Sequence, residues 1–403
     1  SGLQPVQRAC VGAAVAAACG RPAVFLCGDE REVQVLSADL ETLTGRRPVT
    51  LLGREWQFRP GAVGSRDWER SRLAALYALA QGDAPVVVAT ADGLMARTLP
   101  PETLRSLAIT LEVGGQAELG ALAEQLLSAG YTRCEQVEGV GQFALRGGIL
   151  DVFSPLMDQP VRCEFFDDEI DSMGAFDPGT QRRTRNVSSA RILPAAEVLP
   201  HCAPGGLPGL ADQLTALAEK LAKKQKTEAI VQTLREDAER LRSGAAPGAA
   251  DRYLAAIYPT VTAGVHYLPP DAVVFLSESG RVDERVKNTV LQQKQDVEAL
   301  LSAGVLAGEY AHLTLTAEEL YAALEDFPVI LEDSLPTSRH PLRPRGLLTM
   351  NAKQLSSYGG SLETAVTDLE HYRSSGSAVL VLCGGETRAK NLHRLLEEKG
   401  IPA

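Results

Sequence analysis

The sequence predicts an α/β fold in which a parallel-sheet unit is followed by a small β-rich module and, near the end of the chain, by a second, smaller α/β element. Three observations predict it. Short apolar β runs at 23–27, 48–52 and 85–90 alternate with helical periodicity, as in a parallel sheet with crossover helices. Residues 131–193 lose that periodicity and break into short β runs separated by Gly, Pro and Asp. Near the end, "VLCGGETRAKNLHRLL" (381–396) aligns without a gap with "FLCGDEREVQVLSADL" (25–40). The shared Leu-Cys-Gly and the pairs Leu36/Leu392 and Leu40/Leu396 mark either an internal repeat or two strand–helix units that converged.

Each element follows from its own residues. After the run at 23–27, Val33, Leu36 and Leu40 recur at helical spacing, and a second β run follows at 48–52. "DWERSRLAALYALAQG" reads as a helix and "APVVVATADGL" as another buried strand. Residues 208–244 form a long amphipathic stretch of one or two helices ending at Gly244. Its basic run of Lys220, Lys223, Lys224 and Lys226 reads as a solvated face. "SGAAPGAA" (243–250) is a loop, and "PTSRHPLRPRG" (336–346), with three prolines, three arginines and a histidine, is the best linker between domains.

Composition narrows the function. At 403 residues the chain needs more than one core. A net charge of −11 argues against nonspecific nucleic-acid binding by the whole surface. No apolar run reaches the ~20 residues that span a bilayer. The seven cysteines contain no CxxC pair, so reduced thiols in a cytoplasmic protein are expected and a structural zinc site is not.

"PVRCEFFDDEIDSM" (160–173) carries five acidic residues, Glu164, Asp167, Asp168, Glu169 and Asp171. In "VRCEFF" the side chains alternate, with Val161, Cys163 and Phe165 on one face and Arg162, Glu164 and Phe166 on the other. Asp167-Asp168 supplies turn residues, so a hairpin is expected with its acids pointing into water. A hard cation needs oxygens that converge, so the stretch reads as a turn. Upstream, Asp151 interrupts the strand "ILDVF", and Gly147-Gly148 permits a bulge or a close backbone approach. With Arg133, Arg146, Arg162, Arg182, Arg183 and Arg185 the module presents mixed charge, which suits protein recognition better than chemistry.

The run "RGGILDVFSP…PVRCEFFDDEIDSMGAFDPGTQRR…ILPAAEVLP" resembles the UvrB-like region of the bacterial transcription-repair coupling factors (Mfd), and more distantly the excision-repair protein UvrB. The resemblance is strong over about 131–200 and weaker elsewhere. It implies a degenerate RecA-like domain built from 1–115 and 199–335 and split by a β-rich UvrA-binding domain at 116–198. A linker at 336–347 and a small α/β domain at 348–403 would follow. It also implies an N-terminal fragment that recruits UvrA to damage-stalled transcription complexes. The C-terminal domain of the full-length protein would mask this surface. RNA polymerase, DNA, ATP and Mg would be bound by domains beyond this segment.

Within that resemblance, the UvrA-contacting positions fall on Arg133, Arg146, Arg162 and Glu164, with Phe165 as an apolar neighbour; Ala144 stands where UvrB has a further arginine. Arg162 and Glu164 also have a purely structural reading, as does Arg146 before Gly-Gly. The phosphate loop of UvrB falls on Gly2 to Ala9, with Gln7-Arg8-Ala9 in place of Gly-Lys-Ser/Thr. Without that lysine and hydroxyl, no nucleotide cofactor and no ATP hydrolysis are expected of this fragment. The stretch "ATADGLMARTLPPETL" runs directly to a helix and leaves no room for UvrB's DNA-clamping hairpin. The competing reading is a UvrB-like, nucleotide-dependent DNA-binding ATPase.

Overall fold

Apolar at every position and buried throughout, the strand Ala23–Cys27 lies at the centre of a five-stranded parallel sheet in the computed structural model of the chain. The structure describes residues 1–60, 67–223, 228–350, 362–381, 383 and 385–401. From one edge the strand order is Val329–Glu332, Val273–Ser277, Ala23–Cys27, Val86–Thr90 and Val49–Leu51. Phe25 is in register with Phe275 on one side and Val88 on the other. Parallel strands need crossover connections that cover both faces, which is why these runs are apolar without alternation.

One face, carrying Phe25, Val88 and Phe275, shares a core with the helices Pro5–Cys19 and Glu30–Thr44. Gly12 permits that approach, because a Cβ there would stand 2.4 Å from the Phe25 ring. Asp29 caps the second helix by accepting from the Glu32 amide at 2.8 Å, and Gly45 closes it at φ 67°. The opposite face, with Val24, Leu26, Val87 and Leu276, shares a larger core with the helix Asp67–Gln81 and with the pair Gly206–Lys223 and Glu228–Arg242. The long amphipathic stretch is thus two helices packed on each other. Lys224 and Lys226 of its basic run lie outside the described residues.

The chain leaves the sheet unit through Ile109–Glu112 and returns through Ser189–Ile192, and these two strands pair antiparallel. Between them lies a six-stranded sheet with its own core around Phe143, Leu150, Val161 and Ile170. A buried polar joint ties this module to the unit. Glu197 accepts from Thr98 Oγ1 at 2.6 Å, lies 3.0 Å from Arg72 Nε and 3.5 Å from Arg54 Nη1, and its amide donates to Glu69 at 3.1 Å. Burial pushes the Glu197 carboxyl up; Arg72 and Arg54 more than reverse this and hold it below the usual carboxylate range. Arg54 in turn binds Asp251 at 2.5 Å, and Arg70 donates to the carbonyls of Pro155 and Met157.

The linker region 336–347 carries no helix or strand. A small α/β domain is expected over 348–403. Its described residues contain the helices Leu362–Ser374 and Glu386–Glu398, joined by a core of Val366, Leu396 and Ile401, and no strand. Val379, Leu380 and Val381 are open to solvent, with Leu380 78% exposed. Among the described residues the likeness to 25–40 carries over in the helix Glu386–Glu398. Residues 351–361, 382, 384 and 402–403 of this segment lie outside the described residues.

Candidate protein-recognition site

The module's strands run in the order Arg183–Asn186, Glu169–Phe176, Val161–Phe166, Ile149–Val152, Gln142–Arg146 and Thr132–Arg133. Residues opposite one another across antiparallel strands share a face, so the register assembles the outer surface. One row is Arg146, Ile149, Glu164 and Ser172. The next is Ala144, Asp151, Arg162 and Gly174. The two glycines of the hairpin allow the close approach expected of them: Gly147 has φ 58°, and the Gly148 carbonyl accepts from the Phe165 amide at 2.7 Å.

Asp151, which the sequence shows only as an interruption of a strand, is the hub. It is fully buried. Arg162 grips it with both arms, Nε to Oδ1 at 2.7 Å and Nη2 to Oδ2 at 2.8 Å, while Arg146 Nη2 reaches Oδ2 at 2.7 Å. The Arg162 guanidinium also lies over the Phe176 ring at 4.7 Å. Its hydrogen bonds to Asp151 push its affinity for the proton further up. Arg162 is therefore largely a structural group, whereas half of the Arg146 side chain remains open to solvent. Glu164 accepts from Ser172 Oγ at 2.8 Å and is partly exposed.

Two expected site residues fall elsewhere. Arg133 is in register with Phe143, a core residue, which puts it at the sheet edge on the face opposite Arg146 and Arg162. Phe165 packs against the module's own core, in register with Ile170. Its neighbour Phe166 carries the exposed ring instead, 76% open to solvent. The acidic tip is a turn, with Asp167 in the left-handed region at φ 52°. It is pinned by the Ala117 amide donating to the Asp168 carbonyl at 2.8 Å. Among the described residues no group of three acidic, His or Cys side chains is arranged to hold a metal ion.

The phosphate-loop register fares differently. Gly2 precedes the helix Pro5–Cys19, and Gln7, Arg8 and Ala9 lie inside its first turns. The Arg8 guanidinium, in the place of the phosphate-binding lysine, is 4% exposed and engaged by Glu278 and Glu32. Glu332 stands beside it, fully surrounded, with its carboxyl pushed up to about 8 by burial. Phosphates brought here would meet carboxylates rather than free donors, so the residues do not fit ATP.

The residues that sequence reasoning missed share one signal. Asp151 and Glu197 are single acids inside apolar runs, "ILDVF" and "PAAEVLP", and a charge in such a place is buried only when paired. Pairing partners 11 and 125 residues distant do not show in the local pattern.

Comparison with known proteins agrees with this geometry. The UvrB interaction domain family matches residues 109–197, the module together with its paired entry and exit strands. The transcription-repair-coupling factor of Bacillus subtilis (strain 168) is 26% identical over 407 residues, covering 100% of this chain and 34% of that protein. That of Myxococcus xanthus is 29% identical over 423 residues, covering 99% and 34%. That of Staphylococcus aureus (strain USA300) is 25% identical over 342 residues, covering 82% and 28%. The chain spans about a third of the length of these relatives. Residues 109–197 match the UvrB interaction domain family, and the chain as a whole resembles the N-terminal third of the transcription-repair-coupling factors.

Proposed function

We propose that this chain is the UvrA-recruiting part of a transcription-repair coupling factor and acts by protein recognition in nucleotide excision repair. The observation that carries the reading is the coincidence of the UvrB interaction match, 109–197, with a sheet whose outer face offers Arg146, Glu164 and the open Phe166 ring. An exposed aromatic beside charges of both signs is the usual anchor of such interfaces. The five-stranded unit is taken as a degenerate RecA-like domain split by the module; its parallel order with the first strand central supports this. Masking of the module by a C-terminal domain, and contacts of the whole protein with RNA polymerase, DNA, ATP and Mg, belong to the same reading. So does a cytoplasmic location. No helix among the described residues is long and apolar enough to cross a membrane. The competing ATPase reading is disfavoured by the carboxylates around Arg8.

The test is binding of the chain to UvrA, with Phe166→Ala and Arg146→Glu variants whose folding is checked by circular dichroism. Binding that weakens tenfold or more, about 1.4 kcal/mol, in either variant supports the reading. Binding untouched by both places the interface elsewhere, and no binding removes the proposed function.

A further inference from the structure

The carboxyl ends of three adjacent strands form a crevice that the recognition function does not use. Glu278 directly follows the strand Val273–Ser277, Glu332 ends the strand Val329–Glu332 with Asp333 next to it, and Glu32 lies in the first turn of the helix after Ala23–Cys27. In open α/β sheets this edge is where ligands bind. Its walls are held in place by the backbone. The Glu32 carboxylate accepts from Ser277 Oγ at 2.6 Å and from the Gly28 amide at 3.3 Å. Glu278 adopts φ 54° and accepts from the Ser334 amide at 3.2 Å. Asp333 accepts from the Ser279 amide and hydroxyl at 2.8 and 2.9 Å, with His340 Nδ1 4.0 Å away.

Two further observations show what these walls are for. A cation already occupies the crevice: Arg8 places Nη1 on Glu278 and Nη2 3.4 Å from Glu32 Oε1. Beside it Glu332 is 2% exposed, and neither of its carboxylate oxygens has a hydrogen-bond partner. The oxygens do not converge on a point, and no metal arrangement exists among the described residues. Carboxylates set apart around a planar fork match a guanidinium, with donors spread in a plane, better than a compact ammonium or a divalent ion.

We propose that the crevice is a built guanidinium site, occupied by the protein's own Arg8, which clamps the helix Pro5–Cys19 onto the carboxyl edge of the sheet.

Chemical rescue tests this on the full chain. Arg8→Ala melts below wild type, and guanidinium chloride at millimolar concentrations raises its melting temperature by several degrees, while sodium chloride and urea do not. Wild type shows no such rise, since the site is filled, and Arg8→Ala combined with Glu278→Gln loses it. Guanidinium that only lowers the melting temperature of Arg8→Ala overturns the proposal, as does a rise that survives Glu278→Gln. Should Arg8→Ala fail to fold, Arg8→Lys decides: an ammonium cannot bridge Glu278 and Glu32, so it melts below wild type, and equal melting refutes the fork.

Discussion

Replacing Arg162 with alanine is expected to damage the module far more than the same change at Arg146, although both touch one carboxylate. Arg162 makes two charge-assisted bonds to Asp151, at 2.7 and 2.8 Å, and covers Phe176 at 4.7 Å. Hydrogen bonds to charged groups contribute roughly 1.5–3 kcal/mol each, and a cation over a ring adds about 0.5–1 kcal/mol. Its side chain is 22% exposed and Asp151 is fully buried, so losing it leaves the buried carboxylate with Arg146 as its one cation and Oδ1 without its donor; about 3 kcal/mol is expected. Arg146 is half exposed and leaves the Arg162 grip intact, so about 1 kcal/mol or less is expected. Asp151→Ala should cost less than Arg162→Ala, because the freed guanidinium can reach water whereas the freed carboxylate cannot. Native-state hydrogen exchange of the amides in Ile149–Val152 and Val161–Phe166 reads the local opening energy without assuming that the whole chain unfolds in one step. Equal protection in Arg162→Ala and wild type, or a larger loss in Asp151→Ala, refutes the reasoning. The same arithmetic makes Arg162 a poor probe of UvrA binding, since its loss confounds folding with recognition.

Three further outcomes are expected. Glu197→Ala leaves Arg72 and Arg54 without their shared carboxylate, so about 3–5 kcal/mol should be lost; proteolysis between module and sheet unit should accelerate, and an unchanged cleavage rate contradicts the joint. Burial pushes the Glu332 carboxyl up to about 8 in the fold, well above an unfolded carboxylate, so its stability contribution is complete below pH ~4.5 and declines as pH rises towards 8. Glu332→Gln should therefore flatten the fall in melting temperature between pH 5 and about 8 and stabilise the chain at neutral pH, on the order of 3 kcal/mol at most; parallel pH profiles for variant and wild type contradict this. Titration of the chain with Mg-ATP in a calorimeter should give no saturable heat, whereas a clear isotherm revives the ATPase reading.

Local pattern carried much of this architecture. The buried runs at 23–27 and 86–90, the helices with Val33, Leu36 and Leu40, and the acidic hairpin with its turn at Asp167 all follow from periodicity and turn chemistry. The mixed-charge character of the module could be read from its composition, whereas the phosphate-loop register of Gly2 to Ala9 came from the resemblance to UvrB. Alternation alone also separated Phe165 from Phe166, although choosing which ring meets a partner required knowing which face the core takes.

What local pattern left open was every pairing across distance. Arg146 and Arg162 look like free cations in the sequence, and only the register of three strands delivers them to Asp151. Arg133 looks equivalent to them, and a parallel edge pairing with Phe143 sends it to the other face. Arg8 looks like a failed phosphate lysine, and only the adjacency of Glu32, Glu278 and Glu332 at the sheet's carboxyl edge makes it the filling of a cation site. The β run before Cys383 has the composition of a strand yet none forms there among the described residues. The sequence by itself determined the elements and their amphipathic faces, because those depend on neighbours a few residues apart. Which charges are buried, and against what, was decided by the tertiary structure, because an ion pair is set by spatial register and not by chain separation.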